Sequence, residues 1–138
     1  MIIDSSALIA ILFNEPGWQH LREAIENETS SAIPAPALTE TRLVIAGRGQ
    51  NYAAATERLI ATLLKKGVTV VSFEHRHADI TAIARERHGK GNGRGGLLNF
   101  GDLMVYAVAK DRGEPVLCTG RDFASTDLEI HPASRLDN

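Results

Sequence analysis

The sequence lacks most of the features that mark secretion, a thiolate metal site or general nucleic-acid binding. Its one cysteine, Cys118, excludes an internal disulfide and a zinc cluster built from thiolates. Cys118 lies in an apolar run and is expected to be a small core residue. The net charge is −2, so the chain as a whole is not a basic nucleic-acid binder. Any contact with nucleic acid must come from a local basic rim or from bound metal.

Long apolar runs are also missing. The run from Ala7 to Phe13 is far too short to cross a bilayer, and no basic residue precedes it as in a signal peptide. A soluble, cytoplasmic protein that does not contact membranes is therefore expected. With 138 residues, of which 43% are hydrophobic, the chain is long enough for one domain, spanning residues 1–138, with a buried core.

Apolar periodicity and turn residues predict strands that alternate with helices. Strands are expected at residues 1–3, 31–34, 68–73 and 115–119, with a last edge strand at 128–130. Helices are expected at residues 7–13, 18–27, 36–48, 51–66, 75–88 and 98–111. This alternation predicts an α/β fold with a parallel sheet and helices on both faces. In such folds the functional crevice lies beyond the carboxyl ends of the strands.

The segment from Gly89 to Gly96 contains five glycines in eight residues, which predicts a mobile loop. Basic residues lie in and before it, at Arg85, Arg87, Lys90 and Arg94. Two interpretations stay open at this point. The segment is either a rim that faces the phosphates of a nucleic acid or an ordinary solvated loop.

Four acidic residues, far apart in the chain, are candidate catalytic residues: Asp4, Glu40, Asp102 and Asp122. Asp4 and Asp122 follow predicted strands and should point into the crevice. Each also has a purely structural interpretation, since Asp4 can cap the next helix and Asp122 can be a turn aspartate. If Asn99 is the cap, Asp102 falls at the third helical position. A negative charge at that position interacts favourably with the helix dipole.

Glu40 has apolar residues three and four positions away on both sides, at Pro36, Ala37, Leu43 and Val44. A glutamate on an apolar flank costs desolvation unless it is paired, bound to metal or extended towards water.

Clustered carboxylates raise each other's pKa and are unfavourable without a cation. Hard oxygen ligands suit Mg²⁺, with Mn²⁺ as a substitute. Such an ion would hold a phosphate oxygen and lower the pKa of a water, as phosphodiester hydrolysis with a leaving 3′-oxygen requires.

Several short motifs, in order and spacing, resemble the PIN-domain ribonucleases and, within them, the VapC toxins of type II toxin–antitoxin systems. They are Met1 to Leu8 (MIIDSSAL), Leu38-Thr39-Glu40, Leu98 to Asp102 (LNFGD), Thr119 to Phe123 (TGRDF) and Thr126-Asp127. The resemblance covers nearly the whole chain. It implies a three-layer α/β/α sandwich around a mostly parallel sheet and a Mg²⁺- or Mn²⁺-dependent endoribonuclease.

The resemblance also implies a role for each matched residue. Asp4 and Asp102 match the metal ligands, Glu40 the third acid and Asp122 the fourth, while Ser6, Thr119 and Asp127 are secondary candidates. The implied partners are an RNA substrate, a cognate VapB-type antitoxin and a second copy in a homodimer.

Three other classes of function compete with this one: a phosphotransfer domain, a catalytically inactive PIN module and a DNA nuclease. A haloacid-dehalogenase-type phosphatase needs a second aspartate where Ser6 stands, and a receiver domain needs a lysine where this chain has Thr119-Gly120-Arg121. The intact acids disfavour a catalytically inactive PIN binding module. A DNA nuclease shares the metal chemistry and stays an alternative, because discrimination depends on contacts with the 2′-hydroxyl.

Overall fold

Four short parallel strands form the centre of the structure, a computed structural model that describes residues 1–137. They are β1 (Ile2–Ile3), β2 (Ala32–Pro34), β3 (Thr69–Val71) and β4 (Val116–Leu117), arranged in the order β3-β2-β1-β4. In the register, Ile2 of β1 lies opposite both Ala32 and Val116. The carboxyl ends of β1 and β4 therefore meet at the same edge of the sheet.

Six helices cover this sheet and complete the predicted three-layer α/β/α arrangement. They are α1 (Ser5–Leu12), α2 (Trp18–Asn27), α3 (Ala35–Ala46), α4 (Gln50–Lys65), α5 (His75–His88) and α6 (Phe100–Arg112). The bounds predicted for α2 and α5 are confirmed. The core contains β-branched and leucine side chains with at most 1% exposure, including Ile2, Ile3, Leu8, Leu21, Ile33 and Leu117.

Polar caps fix where the two helices that carry site residues begin. Asp4 caps α1, and its carboxylate accepts a hydrogen bond from the Ser6 backbone N–H. Asn99 caps α6 and forms a reciprocal capping box with Asp102, as its spacing predicted. Both caps satisfy backbone donors that a helix start otherwise leaves without partners.

The expected strand at 128–130 is wrong. Only Ile130 forms an isolated parallel bridge with Val116, and the chain then turns at His131. A short 3₁₀ helix at Phe123–Ser125 follows Asp122 and was not predicted. Three-residue helices of this kind carry too little periodicity for a sequence pattern to reveal them.

The glycine-rich segment is a loop, as predicted, and hydrogen bonds close it. Asn92 Oδ1 accepts from the backbone N–H groups of Arg94 and Gly96, at 2.8 and 3.1 Å. At the base of the loop, Leu98 N–H donates to His88 O and Lys90 N–H donates to Leu98 O. A Cβ on Gly96 would collide with the backbone of Gly89, so this position requires glycine. The mobility of the loop stays a prediction.

Across residues 1–137, none of the helices combines the length and apolarity that a membrane span requires.

Candidate active site

Asp4 lies at the carboxyl end of β1 and is only 4% exposed. Its Oδ2 accepts two hydrogen bonds from Ser6, one from the backbone N–H at 3.0 Å and one from Oγ at 2.5 Å. Burial raises the pKa of Asp4; the bonds from Ser6 oppose the rise, and the charge of Glu40 adds to it. Asp4 can therefore cap α1 and also belong to the candidate site.

The Ser6 hydroxyl connects the ends of two strands. While its proton goes to Asp4, its oxygen accepts a hydrogen bond of 3.0 Å from the Thr119 backbone N–H, two residues after β4. Two of the three secondary candidates thus contact the surroundings of Asp4, Ser6 through its side chain and Thr119 through its backbone. The bridge fixes the Asp4 carboxylate relative to the segment that leads to Asp122.

Glu40 reaches the same region from α3. Its Oε1 accepts a hydrogen bond of 2.5 Å from Ser5 Oγ, and its other carboxylate oxygen lies against the backbone at Gly101, where a Cβ would overlap it. Ala37 is buried, but Leu43 and Val44 are 70% and 40% exposed, so only one end of the apolar flank inferred from the sequence is buried. Contacts with Ser5 and Gly101 hold Glu40 in place.

Asp102 projects from the first turn of α6. Its carboxylate accepts a hydrogen bond of 3.0 Å from the Asn99 backbone N–H. Burial raises the pKa of Asp102 to about 7; the bond from Asn99 opposes this, and the like charges of Asp4, Asp122 and Glu40 add to it. These charges must lie close to Asp102 to act on it, so the fold brings the four predicted acids into one electrostatic cluster.

Asp122 is exposed and lies five residues beyond the end of β4, at the start of the 3₁₀ helix. Its backbone carbonyl accepts a hydrogen bond from Ser125 Oγ at 2.5 Å, which stabilises the turn. In residues 1–137 its carboxylate makes no capping bond to this helix. The carboxylate therefore faces solvent while its charge acts on Asp102.

Asp127, a secondary candidate, contacts α6. One of its carboxylate oxygens accepts a hydrogen bond from Tyr106 Oη at 2.7 Å, and the other lies 2.6 Å from Lys110 Nζ. These bonds lower the pKa of Asp127 to about 2. Asp127 thus binds the segment after β4 to the second half of α6, and both its oxygens are engaged there.

Sequence reasoning missed two residues that hold Glu40. In the sequence, Ser5 and Gly101 each appeared only as part of a motif. Both act through contacts between segments far apart in the chain, which periodicity does not encode. The one sequence signal for these contacts was the Ser-Ser pair after Asp4, in which each hydroxyl donates a hydrogen bond to a different acid.

The donor set fits a hard divalent cation. The four acids offer only oxygen ligands, and within the described residues none of them is ion-paired with a lysine, arginine or histidine. No three His, Cys, Asp or Glu side chains of residues 1–137 converge closely enough to ligate one ion together. Mg²⁺ suits such a site, because it usually takes one or two carboxylates directly and keeps several waters.

Cys118 is buried beside this cluster, and burial raises the pKa of its thiol to about 12. It therefore behaves as the core residue that the sequence predicted, since a reactive cysteine requires a lowered pKa.

Comparison with known proteins identifies the family of this chain. The family model of the PIN domain matches residues 1–129. VapC ribonuclease Mb2780c of Mycobacterium bovis is 36% identical over 93% of this chain and 96% of its own length. Ribonuclease VapC36 of Mycobacterium tuberculosis is 38% identical over 94% of this chain and 92% of its own length.

Solved structures show the same fold. VapC20 of Mycobacterium tuberculosis, described as a toxin that cleaves the sarcin–ricin loop, superimposes with a TM-score of 0.71 at 20% identity, over 95% of this chain and 98% of that one. VapBC2 of Rickettsia felis, solved bound to a fragment of promoter DNA, gives a TM-score of 0.68 at 12% identity, with coverages of 99% and 96%. The chain therefore belongs to the PIN domain family and, within it, to the VapC ribonucleases.

Proposed function

We propose that this protein is the toxin of a type II toxin–antitoxin pair and acts as a Mg²⁺-dependent endoribonuclease, with Mn²⁺ as a substitute. The observation that carries the proposal is the electrostatic cluster of Asp4, Glu40, Asp102 and Asp122, whose negative charge no basic side chain of residues 1–137 offsets by ion pairing. The matching relatives are named ribonucleases, which supports RNA as the substrate.

In this mechanism Asp4 and Asp102 hold the ion, and Ser6 and Asn99 fix their carboxylates. When bound, the ion supplies positive charge to the phosphate and favours deprotonation of the attacking water. Water oxygen bonds to phosphorus in line with the 3′-oxygen, whose bond to phosphorus breaks, and a proton passes to that oxygen. Asp122 is exposed and accepts the proton of the attacking water, while Glu40 orients the water from its position against Gly101.

Protein partners belong to the same proposal. Several large apolar side chains are exposed around the helices, among them Phe100 at 80%, Leu43 at 70% and Ile83 at 64%. Where such side chains form a contiguous patch, they are typical of surfaces that other protein chains cover. Structural neighbours include toxin–antitoxin complexes, which supports a VapB-type antitoxin for this chain; a homodimer is proposed with it.

The decisive variant is Asp4→Asn. Asparagine caps a helix as well as aspartate does, so α1 should form normally while one metal ligand is weakened. We expect the variant to fold and to lose cleavage of labelled RNA. The matched control is Asp79→Asn, which changes an exposed aspartate on α5 and should leave cleavage intact.

EDTA should stop the wild-type reaction, and Mg²⁺ or Mn²⁺ should restore it. A well-folded Asp4→Asn protein with full activity, free of contaminating nuclease, would refute the mechanism. Cleavage of matched DNA at an equal rate would favour the DNA nuclease instead. Expression in cells should arrest growth, and co-expression of the small protein encoded beside it should relieve the arrest.

A further inference from the structure

A cleft of about 420 Å³ lies beside Asp122, and we call it the Leu97 cleft. Three separate segments line it, with the residues Leu97, Arg121, Ala124, Ser125 and Leu136. Arg121 directly precedes Asp122, so their Cα atoms are about 3.8 Å apart across a trans peptide. The cleft is therefore lined by the residue that directly precedes one of the four acids.

The lining combines an apolar slot with a polar edge. Leu97, Ala124 and Leu136 supply the apolar walls, and Leu97 is 43% exposed although the next residue, Leu98, is buried. Arg121 and Ser125 supply the polar groups. The volume lies in the range of small-ligand sites, and few polar groups on apolar walls are typical of them.

The Arg121 side chain is oriented by a backbone contact and is available to bind an anion. Its Nε donates to the backbone carbonyl of Leu136 at 3.0 Å, which orients the guanidinium at the edge of the cleft. In the described part of the chain, no carboxylate lies within ion-pair distance of this exposed side chain. A guanidinium in this state matches the geometry and charge of a phosphate.

Hydrogen bonds fix both sides of the cleft before any ligand binds. On one side, Asn92 closes the glycine-rich loop that carries Leu97. On the other, Gly120 N–H donates to Arg135 O at 2.7 Å and Arg135 N–H donates to Cys118 O at 3.0 Å, so the terminal segment lies along β4. A preformed cleft binds with a smaller loss of conformational freedom.

We propose that the Leu97 cleft holds one unpaired nucleobase of the substrate next to the cleaved bond, while Arg121 contacts an adjoining phosphate. This inference rests on the proposed ribonuclease function and deepens it. A nucleobase fits because its apolar face and polar edge match this lining, and because Arg121, next to Asp122 in the chain, offers a positive charge to an adjoining phosphate. Proteins that read RNA sequence take unstacked bases into such sites.

Two consequences follow for the substrate. The RNA must be single-stranded or looped at the cleaved bond, because a base in a duplex has to be unstacked before it can enter a pocket. The protein must also prefer certain bases at one position beside that bond. Leu97 and Ala124 are then specificity-determining residues.

The test uses two variants that alter opposite walls. Ala124→Phe fills the cleft, and Leu97→Ser removes an apolar wall. Wild type and variants cleave a pool of short single-stranded RNAs of random sequence in Mg²⁺, and sequencing of the ends gives the base preference at each position. We expect the wild type to show a base preference at one position and both variants to lose it. In both variants kcat/KM should also fall roughly ten-fold, which is the low end for an apolar pocket contact.

Leu64→Ser is the matched control, since it makes polar an apolar residue of α4 that is 44% exposed, against 43% for Leu97, and that does not line the cleft. It should leave preference and kcat/KM unchanged, and thermal melts should show all three variants folded. A second measurement replaces the preferred base with an abasic ribose. This substrate should slow wild type roughly ten-fold and leave Ala124→Phe unaffected, because the filled cleft no longer uses the base.

The outcomes separate the two proposals. If wild type cleaves RNA with no positional preference, or if both cleft variants keep the wild-type preference and kcat/KM, the nucleobase site is overturned while the ribonuclease function stands. Unchanged RNA cleavage in both variants would also mean that the cleft serves another ligand, such as a protein segment. If wild type does not cleave the RNA pool at all, the ribonuclease function itself fails.

Discussion

Asp102 is subject to opposing influences on its charge. The hydrogen bond from the Asn99 N–H favours the carboxylate, and so does the position in the first turn of α6. Burial and three neighbouring acids favour the protonated form and prevail, so the pKa is about 7. A residue in this state destabilises the metal-free fold at neutral pH and favours cation binding there.

The sign of the pH effect follows from linkage. The pKa of Asp102 is about 7 in the fold, against 3.8 as its ordinary value. Between these two values the folded state binds more protons than the unfolded state, so its stability falls as pH rises through this window. The contribution of Asp102 to the free energy of unfolding is favourable near pH 4 and is lost by about pH 7.

We therefore expect Asp102→Asn to stabilise the metal-free protein at pH 8. The asparagine keeps the acceptor for Asn99 N–H and removes the repelled charge. After allowance for partial solvent screening, a gain of about 1 kcal/mol corresponds to roughly 3 °C in Tm for a domain of this size. Thermal melts in EDTA at several pH values measure it; the difference from wild type should shrink towards pH 4.

Asp79→Asn, an exposed change, should show no such pH dependence. Equal melting temperatures for wild type and Asp102→Asn at pH 8 would mean that neither burial nor the neighbouring acids disfavour the charge of Asp102.

At the scale of elements, the site depends on how closely α3 approaches α6. Glu40 of α3 lies directly against Gly101, in the first turn of α6. A side chain at this position would occupy the space of the Glu40 carboxylate. The absence of a Cβ at Gly101 thus lets the third acid reach the cluster.

We expect Gly101→Ala to displace Glu40 and to lower the rate of RNA cleavage about a hundred-fold, as a misplacement of about 1 Å in a catalytic group can. The fold should survive, because alanine favours the helix by about 1 kcal/mol and so offsets part of the strain. Cleavage kinetics and thermal melts report the two effects separately.

The control is Gly47→Ala at the end of α3, where a Cβ meets nothing within 4 Å. It should change neither the rate nor, by more than about 1 kcal/mol, the stability. Equal activity of the two alanine variants would show that Glu40 needs no such close approach.

The elements themselves were largely readable from the sequence. Local signals such as the Asn99 cap and the apolar pattern of α2 fixed helices to within a few residues. The strand predicted at 128–130 was wrong, because the single bridge that forms there depends on β4 rather than on the residues of the segment itself. For the same reason Ser5 escaped notice: its partner Glu40 lies 35 positions away.

At the scale of the whole molecule, the fold brings together acids from four separate segments, and each had an acceptable structural role when considered alone. Asp4 and Asp102 do serve as cap and capping-box residues while also contributing to the site. Their order along the chain and the parallel sheet predicted that they would meet. The contact of Asp127 with Tyr106 and Lys110 depends on packing against α6, which the sequence did not reveal.

A cation that binds only the assembled cluster should stabilise the whole fold. We expect Mg²⁺ to raise the Tm of the wild-type protein progressively with its concentration, because binding adds about 2.7 kcal/mol to the free energy of unfolding at a hundred times its Kd. Asp4→Asn and Asp102→Asn should lose this response, and Asp79→Asn should keep it. Melts at constant ionic strength, with Na⁺ in place of Mg²⁺, separate binding from general screening.

The Ser6 hydroxyl has one further consequence. The Thr119 amide donates to this hydroxyl, which donates in turn to Asp4, so the three groups form a polarised chain. In an NMR spectrum the Thr119 amide is therefore a reporter placed one hydroxyl away from the proposed metal ligand. Its chemical shift follows the charge on Asp4 in the absence of substrate, and occupancy of the site becomes visible at a single backbone atom.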